Sequence, residues 1–133
     1  MTGETDLPTL LASMSPKADN TEWVFASVRE EDAAPLTAHA IAIFHEAEGL
    51  TLVLPRAAAD DLKNVSTPMS RITLEVHSSL EAVGLTAAVA GALAEAGISA
   101  NVVAAYYHDH IFVPKVSADH ALAVLEGLST TSD

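Results

Sequence analysis

Two nine-residue stretches, LVLPRAAAD (52–60) and IFVPKVSAD (111–119), align without a gap. Each reads as three apolar strand residues, a proline, a basic residue, two small or apolar residues, then Ala-Asp. Pro55 matches Pro114, Arg56 matches Lys115, Ala59 matches Ala118 and Asp60 matches Asp119, every pair 59 positions apart. In each half a hairpin pattern precedes the match and a helical pattern follows it. A chain built this way is predicted to fold as a doubled unit, with an N-terminal module over 1–66 and a C-terminal module over 67–133.

The hairpins are read from alternation. In AHAIAIFHE, Ile41 and Ile43 fall on one face and Ala42 and Phe44 on the other; EAEG then turns the chain into LTLVLP. Period-two spacing of this kind predicts strands near 39–45 and 50–54. In the second half ANVVAAYY and IFVP are predicted strands joined at His108-Asp109, a pair suited to a tight corner because aspartate tolerates turn dihedrals. Regular alternation would send Tyr106 and Tyr107 to opposite faces. RITLEVH (71–77) is a further strand, with Ile72, Leu74 and Val76 toward the core, and EWVFASVR (22–29) is another.

The helices follow a different period. Leu85, Ala88, Val89, Ala92, Leu93 and Ala96 recur at helical spacing and Gly97 closes the run. SADHALAVLEGL predicts a helix with Ser117 as N-cap and Ala118, Ala121, Leu122 and Leu125 on one face. DLPTLLASM predicts a short helix with Asp6 as N-cap and Pro8 in the first turn. RAAADDLK predicts another short helix. The halves differ at one point: residues 30–37, EEDAAPLT, supply only a loop or a poor turn broken by Pro35 where the second half has a full helix.

Strand, helix, hairpin, helix is most of the ferredoxin-like pattern βαββαβ, an α+β fold with helices on one sheet face. The second half ends before a fourth strand. Its sheet is one strand short unless another segment, such as Trp23–Val28, supplies the edge.

The stretch LEVHSSLEAVGLTAAVAGALAEAGISANVVAAYYHDHIFVP resembles an ACT domain, and the whole chain resembles small bacterial proteins that carry two ACT-like modules in tandem. The likeness lies in the apolar strand, the loop reaching Gly84-Leu85, the alanine-rich helix, AEAGIS, the second strand and the short turn into IFVP. It covers 71–127 well and 22–63 less well, where the first module looks reduced. The resemblance implies a regulatory module without chemistry of its own that binds a small molecule, usually an amino acid, at an interface between modules. It implies a ligand near the loop from first strand to first helix, at Val83, Gly84 and Leu85. It also implies a role for Asp109 at the turn between second and third strands, flanked by Tyr106, Tyr107 and His108. Other sensors of this class have Thr-Asp at that turn, and this chain has His108-Asp109.

Physical chemistry supports the Gly84 position on separate grounds. Glycine lets a ligand approach the backbone closely. The helix that follows presents unpaired N–H groups and a partial positive charge suited to a carboxylate. Close packing of that helix on the sheet is the plainer reason for a glycine there.

Composition narrows the alternatives. Eighteen acidic residues against six Lys and Arg give a formal charge of −12, and the six bases are scattered. Such a chain is repelled by nucleic-acid backbones and anionic lipid, so neither partner is expected. There is no cysteine, which excludes disulfides, thiolate metal sites and a cysteine nucleophile. The N-terminus lacks a basic region followed by an apolar run, and the longest nearly apolar stretch, 82–94, is too short to span a bilayer. A cytoplasmic protein that self-associates and takes no metal or cofactor is the expectation. Two rivals remain: an interaction module with no ligand, and a small enzyme or metal protein using His77, His108, Asp109 and His110. His108 and His110 would share a face only if both lay in a regular strand. No H-E-x-x-H spacing supports a metal, and no G-x-S-x-G supports a nucleophile. His39, His45 and His120 read as surface residues, and Trp23 as a core or interface anchor.

Overall fold

A computed structural model describes residues 6–75 and 83–131. The described elements are α1 (Leu7–Ser13), β1 (Pro16–Val28), α2 (Ala34–Thr37), β2 (Ala42–Glu46), β3 (Gly49–Pro55), β4 (Met69–Leu74), α3 (Leu85–Glu95), β5 (Asn101–Ala104), β6 (Asp109–Pro114) and α4 (Ala118–Thr131). The architecture is α+β with antiparallel strands and follows the ferredoxin-like order. The chain forms two compact units. One is Asn20–Met69; the other takes in the chain up to Asp19 together with Ser70 onward, so the first helix packs with the C-terminal half.

In the unit Asn20–Met69 the strand order is β2-β3-β1. Trp23 lies opposite Pro55 and Val28 opposite Leu50, while Ala42 lies opposite Val53 and Glu46 opposite Gly49. The outer side of β1 is taken by residues 64–66. Ser27 donates its N–H to the Asn64 carbonyl at 3.0 Å, Ser66 donates to the Phe25 carbonyl at 2.9 Å, and Ala26 bridges Val65. These partners explain why RAAADDLK does not form the expected helix. Only a 3-10 turn, Arg56–Ala59, is present. Asp60 and Asp61 are poor helix-interior residues, and the chain must extend soon afterwards to reach β1. Pro35 also departs from expectation. It occupies the first turn of α2 and so begins a helix rather than breaking one, because its missing N–H is unneeded there. Val24, Ala26, Val28, Leu50, Leu52 and Leu54 make the core, with Leu36, Ala40 and Leu62 against it.

In the other unit the order is β1-β4-β6-β5. The edge strand that the second half lacks comes from the beginning of β1, ahead of Trp23–Val28. Glu75 donates its N–H to the Ser15 carbonyl at 2.9 Å, Lys17 pairs with Glu75 at 2.9 Å, and Arg71 pairs with Asp19 at 2.8 Å. Trp23–Val28 is already engaged with β3 on one side and residues 64–66 on the other. The core joins Leu10 and Met14, Ile72 and Leu74, Leu85, Val89 and Leu93, Ile111 and Val113, and Ala121 and Leu125. Leu85, Val89 and Leu93 stand at i, i+4 and i+8, one face of α3 as the periodicity predicts. Asp6 caps α1 by accepting from the Thr9 N–H at 3.1 Å. Val76 and His77 lie outside the described residues.

The repeat is structural. Asn101 faces Phe112 in the second hairpin as Ala42 faces Val53 in the first, the same register 59 residues later. The burial sequences of β3 and β6 coincide from Leu50 to Pro55 and from Asp109 to Pro114. One substitution inside that match changes the chemistry: the position of buried Leu50 is held by Asp109.

Candidate functional site

The start of α3 and the turn before β6 carry the residues singled out from the sequence. Strand β5 stops at Ala104, three residues short of the expected end. The turn is therefore Ala105–His108, closed by the Ala105 N–H donating to the His108 carbonyl at 3.0 Å, and Asp109 is the first residue of β6 rather than part of the corner. Leaving the strand also removes the alternation assumed for the tyrosines. Tyr106 and Tyr107 are both about two-thirds exposed, and their rings meet edge to face at 4.9 Å.

Asp109 follows Ile111 and Val113 along the same face of β6, the face that α3 and α4 cover. It is 8% exposed and is the buried charged residue among those described. No hydrogen-bond or ion-pair partner for its carboxylate is found among the described residues. Burial raises its pKa above 3.8, and the neighbouring His110 and His108 pull it partly back. The adjacent His108 has its Nδ1 buried without a partner. Two polar groups thus stand side by side with unused hydrogen-bonding capacity, where proteins normally satisfy such atoms.

His110 turns the other way. Its Nδ1 meets the Thr73 hydroxyl at 3.1 Å, beside the Arg71–Asp19 pair. Burial lowers its pKa, as do Arg71 and His108, against the opposing pull of Asp109 and Asp19. The Thr73 contact sets the end of β4 alongside the start of β6. Among the described residues no three His, Asp or Glu side chains are grouped to hold a metal, and His77 lies outside that set. His39, His45 and His120 are exposed.

Gly84 caps α3 in the left-handed region, φ 101°, without a side-chain hydrogen bond to the first turn. A Cβ there would stand 3.1 Å from Leu7 Cδ2. Two causes therefore require glycine: the positive φ and the leucine of α1. The open side of Gly84 is packed by a side chain, and what remains for a ligand is the set of first-turn N–H groups. Leu7 was not foreseen from the sequence, since nothing local links it to residue 84. Val83 is exposed and Leu85 is buried in the core; the rest of the loop from β4 lies outside the described residues.

Comparison with known proteins divides the chain once, at residues 67–69. Two family models, each described as an ACT domain, match residues 2–69 and 67–127. No curated protein matches. Among solved structures, a Vibrio cholerae protein of unknown function, described as a possible transport protein, is 51% identical with a TM-score of 0.83, over 92% of this chain and 95% of that one. An Agrobacterium tumefaciens protein is 20% identical with a TM-score of 0.73, over 87% and 89%. The ligand-free regulatory subunit of aspartate kinase from Thermus thermophilus is 9% identical with a TM-score of 0.66, over 89% and 97%. The last two show likeness of fold. No described helix is long and apolar enough to cross a membrane.

Proposed function

Because the chain belongs to the ACT domain family, whose modules serve regulatory, ligand-binding roles, we propose that it is a non-enzymatic sensor of a small metabolite, an amino acid. The ligand's ammonium or cationic side chain pairs with Asp109, and its carboxylate takes the first-turn N–H groups of α3 that follow Gly84. His108 and the tyrosines at 106 and 107 form the rim, with Val83 and Leu85 flanking the glycine. The observation that carries this reading is Asp109 itself. A carboxylate this buried and unpartnered is costly unless something cationic meets it, and the equivalent place in the first hairpin is satisfied by leucine.

Thermal-shift measurements with the twenty amino acids test it, since a ligand that binds only the folded state raises the midpoint. One or a few amino acids should raise it in the wild-type chain, and Asp109→Asn should remove the effect. Gly84→Val is unsuitable, because the positive φ and Leu7 make it destabilising with or without a ligand. No shift with any amino acid would refute the sensor reading.

A second reading, an interaction module that pairs with its own kind, has its own support. Ile41 is 44% exposed, Ile43 42% and Phe44 71%, all at or beside the edge strand β2. An apolar edge with an unpaired backbone is a template for another strand. A dimer that forms with rising concentration, unchanged by amino acids, would favour it.

A further inference from the structure

The unit Asn20–Met69 contains an open cleft of about 390 Å³ where the start of β1 meets the turn after β3. We propose that this cleft is a ligand site in its own right, for a small zwitterion whose carboxylate and ammonium are held a short chain apart. It lies at the proline end of β3, away from the hairpin tip of the same unit, and its argument does not use Asp109 or Gly84.

Asn20, Thr21 and Glu22 line the cleft from one side, and Arg56 and Asp60 from the other. Arg56 Nη1 donates to Glu22 Oε1 at 3.0 Å. That bond uses one of the guanidinium's five donors. The remaining N–H groups form a fork able to take a carboxylate in two hydrogen bonds. The Asp60 carboxylate has no ion-pair partner among the described residues. It follows Arg56 by four positions around a tight turn, which separates the two charges by roughly one helical turn.

The pairing of Arg56 with Asp60 recurs as Lys115 and Asp119 in the second half, and there the acid has a plain structural reason. Asp119 lies in the first turn of the 14-residue α4, where a negative charge favours a helix N-terminus. No α-helix follows Arg56–Ala59, so Asp60 has no such work and is left facing the cleft.

The lining carries two acids against one base. A simple anion would meet Glu22 and Asp60 as well as the overall negative charge of the chain. A simple cation would leave the guanidinium fork unused. A zwitterion satisfies both, and the volume is at the small end of ligand pockets.

The test uses the full chain labelled with nitrogen-15. Glycine, β-alanine and γ-aminobutyrate are titrated, with propionate and propylamine as controls. At least one zwitterion should move the amide signals of Thr21, Arg56 and Ala57, while neither control does. Arg56→Gln and Asp60→Asn, both at exposed positions, should each weaken that response by about tenfold or more. Asp109→Asn should leave it intact. Absence of shifts at those amides with all three zwitterions overturns the proposal, as does a response unchanged by Arg56→Gln or shared by propionate. Binding lost only in Asp109→Asn would uphold the sensor site and reject the cleft; binding lost only in the cleft variants would uphold the cleft.

Discussion

Replacing Asp109 with leucine should make this protein more stable while ending its proposed function. The substitution installs what the first hairpin already has at the matching place. Leu50 is 6% exposed and Asp109 is 8% exposed, with the same strand register and the same sequence of buried positions around them. Burying a leucine side chain contributes about 1.5–3 kcal/mol. Removing a desolvated, unpartnered carboxylate adds to that, and imperfect fit of the larger side chain subtracts. A net gain of about 1–3 kcal/mol is expected. For a chain of this length each kcal/mol raises Tm by roughly 3–4 °C. Trp23 belongs to the other unit, so its fluorescence is the wrong reporter; urea unfolding followed by the Tyr106 and Tyr107 signals reads the relevant unit, beside far-UV circular dichroism for the whole chain.

The gain should depend on pH, and its sign follows from linkage. Burial raises the pKa of Asp109 in the folded state, so the folded chain binds that proton more readily than the unfolded chain. The stability of the wild type then falls as pH rises from the unfolded carboxylate value through the raised folded one. The charge part of the advantage of Asp109→Leu should be full above the raised folded value, shrink as pH falls through it, and be gone below about pH 4. Asp109→Asn should recover the charge part of the effect without the apolar part. If Asp109→Leu instead loses about 1 kcal/mol or more at neutral pH, the carboxylate has a structural partner, and the reasoning that reserves it for a ligand fails.

Other expectations test the frame around this site. Gly84→Ala should cost about 1–2 kcal/mol, measured by the same unfolding experiment, with Leu7→Ala in the same chain relieving the steric share but not the positive-φ share. Leu10→Ala, at a position with no exposure, should cost about 2–5 kcal/mol, and unfolding should show the loss in the unit that contains β4 and α4. A double-mutant cycle on Asp19 and Arg71, an ion pair with each side chain about one-third exposed or less, should give a coupling of about 1 kcal/mol; a value near zero would mean that this pair does not help hold the start of β1 beside β4.

Much of the fold could be read from the sequence because its signals are local and periodic. The stripe Leu85–Val89–Leu93, the alternation around Ile72 and Leu74, and the repeat through Pro55 and Pro114 each need only a window of residues. What escaped was set by distant partners. Strand β1 is 13 residues long, longer than its apolar pattern, because Lys17 and Asp19 are polar on the edge they supply to β4. Asp19 and Lys17 look like loop residues until Arg71 and Glu75 are placed opposite them. The expected helix over 56–63 was lost to the same cause, pairing of 64–66 with β1. Tyr106 and Tyr107 read as the end of the strand ANVVAAYY, and the register of the hairpin, with Ala104 opposite Asp109, leaves them in the turn.

The same long-range register decides what the site can be. As a tripeptide, His108-Asp109-His110 invites a metal or an acid–base pair. Once Asp109 opens β6, the strand pleat puts its carboxylate on the face of Ile111 and Val113 and His110 toward Thr73, and among the described residues no three such side chains group to hold a metal. The aspartate is then comparable with Leu50 rather than with its own neighbours. A doubled fold lets one half serve as the reference for the other. Where the first hairpin resolves a buried position with a hydrocarbon, the second spends stability on a charge, and a protein without a use for that charge would gain by matching its own first half.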